Sequence, residues 1–192
     1  MKKVPMTMWQ SAVELQRCLD SFEYRFCFIG GIALQRWGEP RLTEDLDLTV
    51  VVPFGAERPI VEKILSRFQS RHPDPYAFAT QARILLLKDA AGVEIDLSIG
   101  GLPFEVRMIE RASLWGVPGS GTIRTCSAED LVTLKSFAAR PQDWLDVAKI
   151  LVRQGSKLDR KLVLTELSPL AELKEEPEIV VQLERLFTEH CP

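Results

Sequence analysis

The sequence has few residues that bind metals or carry redox chemistry through nitrogen or sulfur. It contains two histidines and four cysteines in 192 residues. The cysteines, at positions 18, 27, 126 and 191, form no Cys-x-x-Cys pair. These counts give no support for a zinc site or a disulfide framework, so we expect the cysteines to be reduced.

Long apolar runs and an excess of positive charge are also absent. An Arg, Glu or Asp interrupts every apolar stretch before it reaches the ~20 residues that a membrane span requires. No secretory apolar segment follows Lys2 and Lys3. The formal net charge of -3 gives no global basic field for indiscriminate nucleic-acid binding. We therefore expect a cytoplasmic protein that does not bind membranes.

The apolar periodicity divides the chain into two parts. Up to Cys126 the patterns of strands and helices alternate, and beyond it the pattern is helical. The expected strands cover residues 25–29, 45–52, 83–88, 93–99, 113–117 and 122–125, and a proline-rich loop covers residues 72–75. The last helices are expected near residues 159–167 and 177–189. This change predicts a domain boundary at Ser127, between residues 1–126 and residues 127–192.

Asp45 and Asp47 are the first candidate functional residues. From Asp45 to Val52, polar residues alternate with apolar ones, which is typical of a half-buried strand. Both carboxylates then project from one face, where they repel each other unless a cation offsets their charge. Mg²⁺ binds one or two carboxylates together with substrate phosphates. The alternative, which an isolated Asp-x-Asp would favour, is the solvated face of an edge strand.

A glycine pair precedes these carboxylates. Gly30 and Gly31 follow an expected strand and precede an expected helix. Because they lack side chains, phosphate oxygens can approach the N–H groups at the helix N-terminus. In the connection to Asp45, Arg41 is suited to pair with phosphate and Thr43 to position the loop. Ordinary surface residues are the alternative for both.

A third carboxylate is expected from residues 93–97. Glu94 and Asp96 share one face of this strand. We favour Asp96, because it is followed by an apolar residue near the strand end. Three carboxylates can hold two Mg²⁺ ions, one lowering the pKa of an attacking hydroxyl and the other bridging a triphosphate. A solvent-facing pair on a strand is again the alternative.

Two stretches of the chain together resemble a known superfamily. The first comprises Phe28, Ile29, Gly30 and Gly31, then Arg41, Leu42, Thr43, Glu44, Asp45, Leu46, Asp47 and Leu48. The second comprises Glu129, Asp130, Leu131, Val132, Thr133, Leu134 and Lys135, followed by Arg140, Pro141, Gln142, Asp143 and Asp146. They resemble the nucleotidyltransferase superfamily with the DNA polymerase β-like fold, and within it the AbiEii-type toxin branch most closely.

The resemblance implies a fold and a set of site residues. The fold is α/β (α+β), with a mixed nucleotidyltransferase-type sheet flanked by helices and a C-terminal helical part that completes the active-site cleft. Asp45, Asp47 and Asp96 would hold the metal ions, with Mg²⁺ expected and Mn²⁺ equally suited to oxygen ligands. Lys135 would lie near the triphosphate. In many members a serine follows the first glycine, where this chain has Gly31.

The resemblance also implies an activity and its partners. The expected reaction moves a nucleoside monophosphate from a nucleoside triphosphate to an acceptor. In the toxin branch the acceptor would be RNA, particularly tRNA, and a separate antitoxin protein would restrain the enzyme. A small hydroxylated acceptor, such as an aminoglycoside, is an alternative. A degenerate nucleotide-binding module without catalysis is another.

Overall fold

The computed structural model describes residues 6–117 and 119–190. Its strands are β1 (Phe26–Phe28), β2 (Asp45–Val51), β3 (Gln69–Ser70), β4 (Ile84–Lys88), β5 (Glu94–Gly100), β6 (Ser113–Val117) and β7 (Gly121–Thr125). Its helices are α1 (Met6–Ser21), α2 (Gly30–Trp37), α3 (Glu57–Leu65), α4 (Pro75–Ala82), α5 (Pro103–Arg111), α6 (Ala128–Ala138), α7 (Pro141–Gln154), α8 (Arg160–Leu173) and α9 (Glu178–His190). A 3₁₀ turn, Gly155–Lys157, follows α7. Cys191 lies outside the described residues.

The strands form one mixed sheet in the order β3-β4-β5-β2-β1-β7-β6. At its centre, β2 pairs in parallel with β5 and antiparallel with β1. β1 pairs in parallel with β7, while β4 with β5 and β6 with β7 form antiparallel hairpins. The expected fold, a mixed sheet with helices packed against it, is confirmed. Both expected hairpins are confirmed as well.

The main hydrophobic core lies against the apolar face of this sheet. Leu46, Leu48 and Val50 of β2 are fully buried in it, as the period of two predicts. Helix α1 contributes Leu15 and Leu19, which are also fully buried. Each such side chain stabilises the folded state by about 1.5–3 kcal/mol relative to exposure. This packing fixes the orientation of β2, so its alternate residues face away from the core.

The boundaries of α2 and α8 differ from those that the pattern predicts. Helix α2 begins at Gly30 rather than Ile32, so the glycine pair forms its first turn instead of preceding it. Helix α8 continues through Pro169 to Leu173, although the pattern ended it at Leu167. A proline inside a helix loses one backbone hydrogen bond. Burial of residues on both sides of Pro169 compensates for that loss.

Helix α4 has no counterpart among the expected elements. It begins at Pro75, where the sequence indicates only the end of a proline-rich loop. Asp74 is the N-cap, and its Oδ1 accepts a hydrogen bond from the N–H of Ala77 at 3.0 Å. A proline in the first turn and an aspartate N-cap are both favourable at a helix start. The apolar signal is weak because Ala79 is the one fully buried residue of α4.

Contacts divide the chain into two compact units. The first comprises residues 1–32 and Arg41–Cys126 and contains the whole sheet. The second comprises Ala33–Pro40 together with residues 127–192, so it includes most of α2 as well as α6 to α9. This division differs from a single boundary at Ser127 by the segment Ala33–Pro40.

The segment Ala33–Pro40 is tied to α7 within the second unit. Arg153 donates a hydrogen bond to the carbonyl of Gly38, and Gln154 donates one to the carbonyl of Trp37 at 2.6 Å. Lys149 Nζ lies 2.6 Å from the Glu39 carboxylate.

Among the described helices, none combines the length and apolar character that crossing a bilayer requires.

Candidate active site

Four carboxylates lie along two neighbouring parallel strands, on the face of the sheet that is opposite the core. In the register of β2 with β5, Asp45 lies beside Glu94 and Asp47 lies beside Asp96. The intervening residues Leu46 and Ile95 are fully buried. Because side chains alternate along a strand, burial of the apolar residues turns all four carboxylates to one side. The sheet thereby gathers negative charge from segments distant in sequence.

Asp45, Asp47 and Asp96 form the tightest part of this group. Each offers a carboxylate oxygen, and these oxygens all lie within 4.8 Å of one another. All three residues are half-buried, so space remains for water or substrate. Mg²⁺ holds oxygens at about 2.0–2.1 Å, and paired ions lie about 3.5–4 Å apart. The donor type and the spacing therefore suit one divalent cation or a pair.

The glycine turn of α2 directly abuts the second aspartate. Gly30 has φ +56°, and a Cβ atom there would lie 1.9 Å from Asp47 Oδ2. The N–H of Gly31 points to the same oxygen, with a nitrogen–oxygen distance of 3.4 Å. The positive end of the α2 dipole thus faces the carboxylate cluster. Anionic phosphate would bind favourably at such a helix terminus.

Thr43 fills the space next to the second glycine. A Cβ atom on Gly31 would lie 2.3 Å from Thr43 Oγ1, and the Thr43 side chain is buried. The same hydroxyl lies 3.2 Å from Asp45 Oδ1. Thr43 therefore links the glycine turn to the first carboxylate. Arg41 donates to the carbonyl of Leu42 at 3.2 Å, and its pairing with phosphate stays a prediction.

Arg71 contacts the carboxylates of β5, and the sequence gives no indication of this. Its Nη1 lies 2.9 Å from Glu94 Oε2, its Nη2 forms an ion pair with Asp96 Oδ1, and its Nε donates to the carbonyl of Leu87 at 2.9 Å. Arg71 follows a strand of two residues, too short for a periodic pattern. Only the sheet topology brings it to Asp96.

Asp96 occupies an environment that favours its protonated form. Burial raises the pKa of its carboxyl, the Arg71 guanidinium opposes that rise, and the negative charges of Asp45 and Glu94 add to it. The pKa of Asp96 therefore lies above its ordinary value. A divalent cation beside these carboxylates would reverse the effect of their mutual repulsion.

Lys135 belongs to a buried ion cluster in the second unit. Its Nζ lies 3.1 Å from Asp143 Oδ1 and 2.7 Å from Asp146 Oδ2, and all three side chains are buried. Arg140 Nε lies 2.6 Å from Asp143 Oδ2. Lys135 is thus held by α7 rather than projecting into solvent. Its place near the triphosphate stays a prediction from the resemblance.

Similarity to solved structures is at the level of the fold. An antigenic nucleotidyltransferase-like protein from Paracoccidioides brasiliensis superposes with a TM-score of 0.53 at 15% identity, over 95% of this chain and 95% of that chain. The solution structure of the antibiotic-resistance factor ANT(2'')-Ia superposes with a TM-score of 0.56 at 15% identity, over 90% of this chain and 96% of that chain. The fold is that of a nucleotidyltransferase.

The family follows from the sequence as a whole. The profile of the family described as nucleotidyl transferase AbiEii toxin, type IV TA system, matches residues 15–178. The chain therefore belongs to the AbiEii nucleotidyltransferase toxin family and is a nucleotidyltransferase. Enzymes of this class take a nucleoside triphosphate and an acceptor. No curated protein sequence matches the chain.

Proposed function

We propose that the protein is a metal-dependent nucleotidyltransferase that moves a nucleoside monophosphate to RNA, with tRNA as the favoured acceptor. One observation carries the metal dependence: oxygens of Asp45, Asp47 and Asp96 lie within 4.8 Å of one another beside the N-terminus of α2. The RNA acceptor, the toxin role and a restraining antitoxin protein rest on membership of the AbiEii toxin family.

Each site residue has a defined task in this proposal. Asp45 and Asp47 hold Mg²⁺ or Mn²⁺, with Asp96 as the third ligand. Bound cations would lower the pKa of the acceptor hydroxyl and offset charge on the triphosphate. The N-terminus of α2, at Gly30 and Gly31, would attract phosphate oxygens through the positive end of the helix dipole.

The transfer step is a substitution at the α-phosphorus. The acceptor oxygen forms a bond to phosphorus, and its proton passes to the Asp96 carboxylate. The bond from phosphorus to the bridging oxygen breaks, and pyrophosphate leaves with the electron pair. Water and protein dipoles fixed around the site would stabilise the developing charge.

The first prediction concerns the aspartates of β2. We expect label from the α-phosphate of at least one nucleoside triphosphate to appear in RNA with Mg²⁺ or Mn²⁺. Chelator, Asp45→Asn and Asp47→Asn should each reduce transfer at least about 100-fold, because charge stabilisation by bound metal supplies several kcal/mol. Glu44→Gln is the matched control, since Glu44 is exposed and immediately precedes Asp45.

The acceptor panel separates the alternatives. It contains purified tRNA, total RNA without tRNA, and aminoglycosides, each tested with all four triphosphates. Label in an aminoglycoside but not in RNA would make the protein a small-molecule nucleotidyltransferase. Nucleotide binding without any labelled product would identify a degenerate binding module. Growth arrest on expression that persists in Asp45→Asn would contradict the toxin role of the transfer reaction.

A further inference from the structure

A fourth carboxylate, that of Glu94, accompanies the three proposed metal ligands on β2 and β5. Glu94 lies beside Asp45 in the register of β5 with β2, and its side chain is 51% exposed. Glu94 is paired with Asp45 just as Asp96 is paired with Asp47, so the strand register alone would let either carboxylate bind a cation. Within the described residues, however, the cluster of oxygens within 4.8 Å comprises Asp45, Asp47 and Asp96. Some feature of the site separates Glu94 from the other three.

Arg71 contacts both carboxylates of β5. Its guanidinium bridges Glu94 and Asp96 through Nη1 and Nη2, while Nε binds the Leu87 carbonyl of β4. Its backbone N–H also donates to the Leu86 carbonyl at 2.8 Å. All three nitrogens of the guanidinium are thus engaged, and the contacts with β4 hold Arg71 in position. An arginine held in this way has little freedom to swing out, because its donors form a rigid fork.

The two paired carboxylates differ in their place in the site. Arg71 contacts one oxygen of each, Oδ1 of Asp96 and Oε2 of Glu94, but of the two only Asp96 belongs to the group of carboxylate oxygens that lie within 4.8 Å of one another. Glu94 is held by an arginine whose side chain is 25% exposed. The positive charge of Arg71 lies next to both carboxylates and weakens cation binding at each of them.

We propose that Arg71 is a positioning residue for nucleotidyl transfer: it orients Asp96 toward Asp45 and Asp47 and keeps Glu94 out of the cation site. This inference rests on the proposed function. Arg71 itself contacts neither nucleotide nor acceptor in this role. It acts through Asp96, and it moderates the negative charge that attracts the cation.

The proposal predicts opposite changes in cation affinity and turnover. Arg71→Gln removes a positive charge next to the site, so Mn²⁺ without nucleotide should bind about three- to tenfold more tightly. The same change frees Asp96 to rotate and Glu94 to compete for the cation. The kcat for label transfer should therefore fall at least about tenfold, while the KM for the triphosphate stays within about twofold.

Arg71→Lys separates charge from geometry. A lysine retains the positive charge but cannot bridge two carboxylates and a carbonyl in one plane. The Mn²⁺ affinity should stay within about twofold of the original, while kcat still falls about tenfold. Arg58→Gln is the matched control, because Arg58 is a 78% exposed arginine paired with Glu62 on α3. It should change neither quantity.

The test measures Mn²⁺ binding to the full chain by titration calorimetry, followed by label transfer and thermal unfolding on the same samples. Weaker Mn²⁺ binding in Arg71→Gln, or a kcat within twofold of the original in either Arg71 variant, would overturn the proposal. If Arg71→Gln does not fold, Arg71→Lys decides it through kcat. A wild-type protein that binds Mn²⁺ through Asp45 but transfers no label refutes the proposed function, and the Mn²⁺ titration still decides the role of Arg71.

Discussion

The two glycines of α2 show how little space separates the backbone from the carboxylates. We predict that Gly30→Ala lowers the transfer rate at least about tenfold, because the methyl group would displace Asp47 and strain a left-handed backbone by about 1–2 kcal/mol. Gly31→Ala should have a smaller effect, since its φ is not left-handed and only the Thr43 side chain must move.

Gly116→Ala provides the control for both substitutions. A Cβ atom there meets nothing within 4 Å, so activity and melting temperature should stay unchanged. The measurement is label transfer together with thermal unfolding. If the Gly30→Ala protein retains the original rate, the Asp47 side chain can move away from the added methyl group without loss of activity, and the prediction is wrong.

The same residues show which site features are predictable from sequence. Asp45 and Asp47 lie on one strand, so a period of two is enough to place their carboxylates together. Asp96 comes from another strand, and its preference over Glu94 depends on Arg71, which lies on neither strand. The sequence carries no local signal for such a contact. Whether all of these residues act in catalysis stays a prediction.

At the scale of elements, the ion cluster of Lys135 joins α6 to α7. Burial opposes ionisation of Asp143, but hydrogen bonds from Arg140 and Lys135 and their charges outweigh it, so the pKa of Asp143 lies below its ordinary value. A carboxylate with a lowered pKa stabilises the folded state above its unfolded pKa of about 3.9. That contribution is lost as the pH falls through the folded pKa.

We predict that Asp143→Asn lowers the free energy of unfolding by about 2 kcal/mol at pH 7, less than for a fully broken buried pair because Lys135 keeps Asp146. The difference from wild type should shrink below about pH 4, where the aspartate becomes protonated. Denaturant unfolding of both proteins at several pH values measures this difference in the free energy of unfolding. The exposed Glu172→Gln of α8 is the control, and a difference that grows in acid would contradict the assignment.

The sequence predicts helices and strands that bury one face in the core, and it misses the elements that bury little. The apolar spacing locates α1, α5, α6 and α7, each of which buries several residues, and the alternation locates β2. Helix α4 buries Ala79 alone and the strand β3 has two residues, so neither produces a pattern. The apolar pattern predicted that α8 ends near Leu167, whereas the helix continues through Pro169 to Leu173, with buried residues on both sides of the proline.

At the scale of the whole molecule, the second unit needs a segment from early in the chain. We predict that a fragment of residues 127–192 is less helical and unfolds less cooperatively than the same fragment joined through a flexible linker to Ala33–Pro40. The segment supplies the carbonyls of Trp37 and Gly38 that Gln154 and Arg153 bind.

Circular dichroism and thermal unfolding measure this difference. A linker bearing a scrambled copy of the segment is the control, because it keeps length and composition but loses the packing of Leu34 and Gly38. Equal stability of the three fragments would show that α6 to α9 form a complete unit alone. Local periodicity cannot reveal such a requirement, because the partners are more than a hundred residues apart.

The parallel pairing of β2 with β5 also has a consequence for protein synthesis. Asp45 and Asp47 leave the ribosome well before Asp96, and β5 is paired on its other side with β4. Because non-local strand pairs form slowly, the nascent chain has no complete carboxylate cluster until the middle of the protein has been made and folded. Nucleotidyl transfer that depends on this cluster would therefore begin only after β5 has been made and has paired with β2.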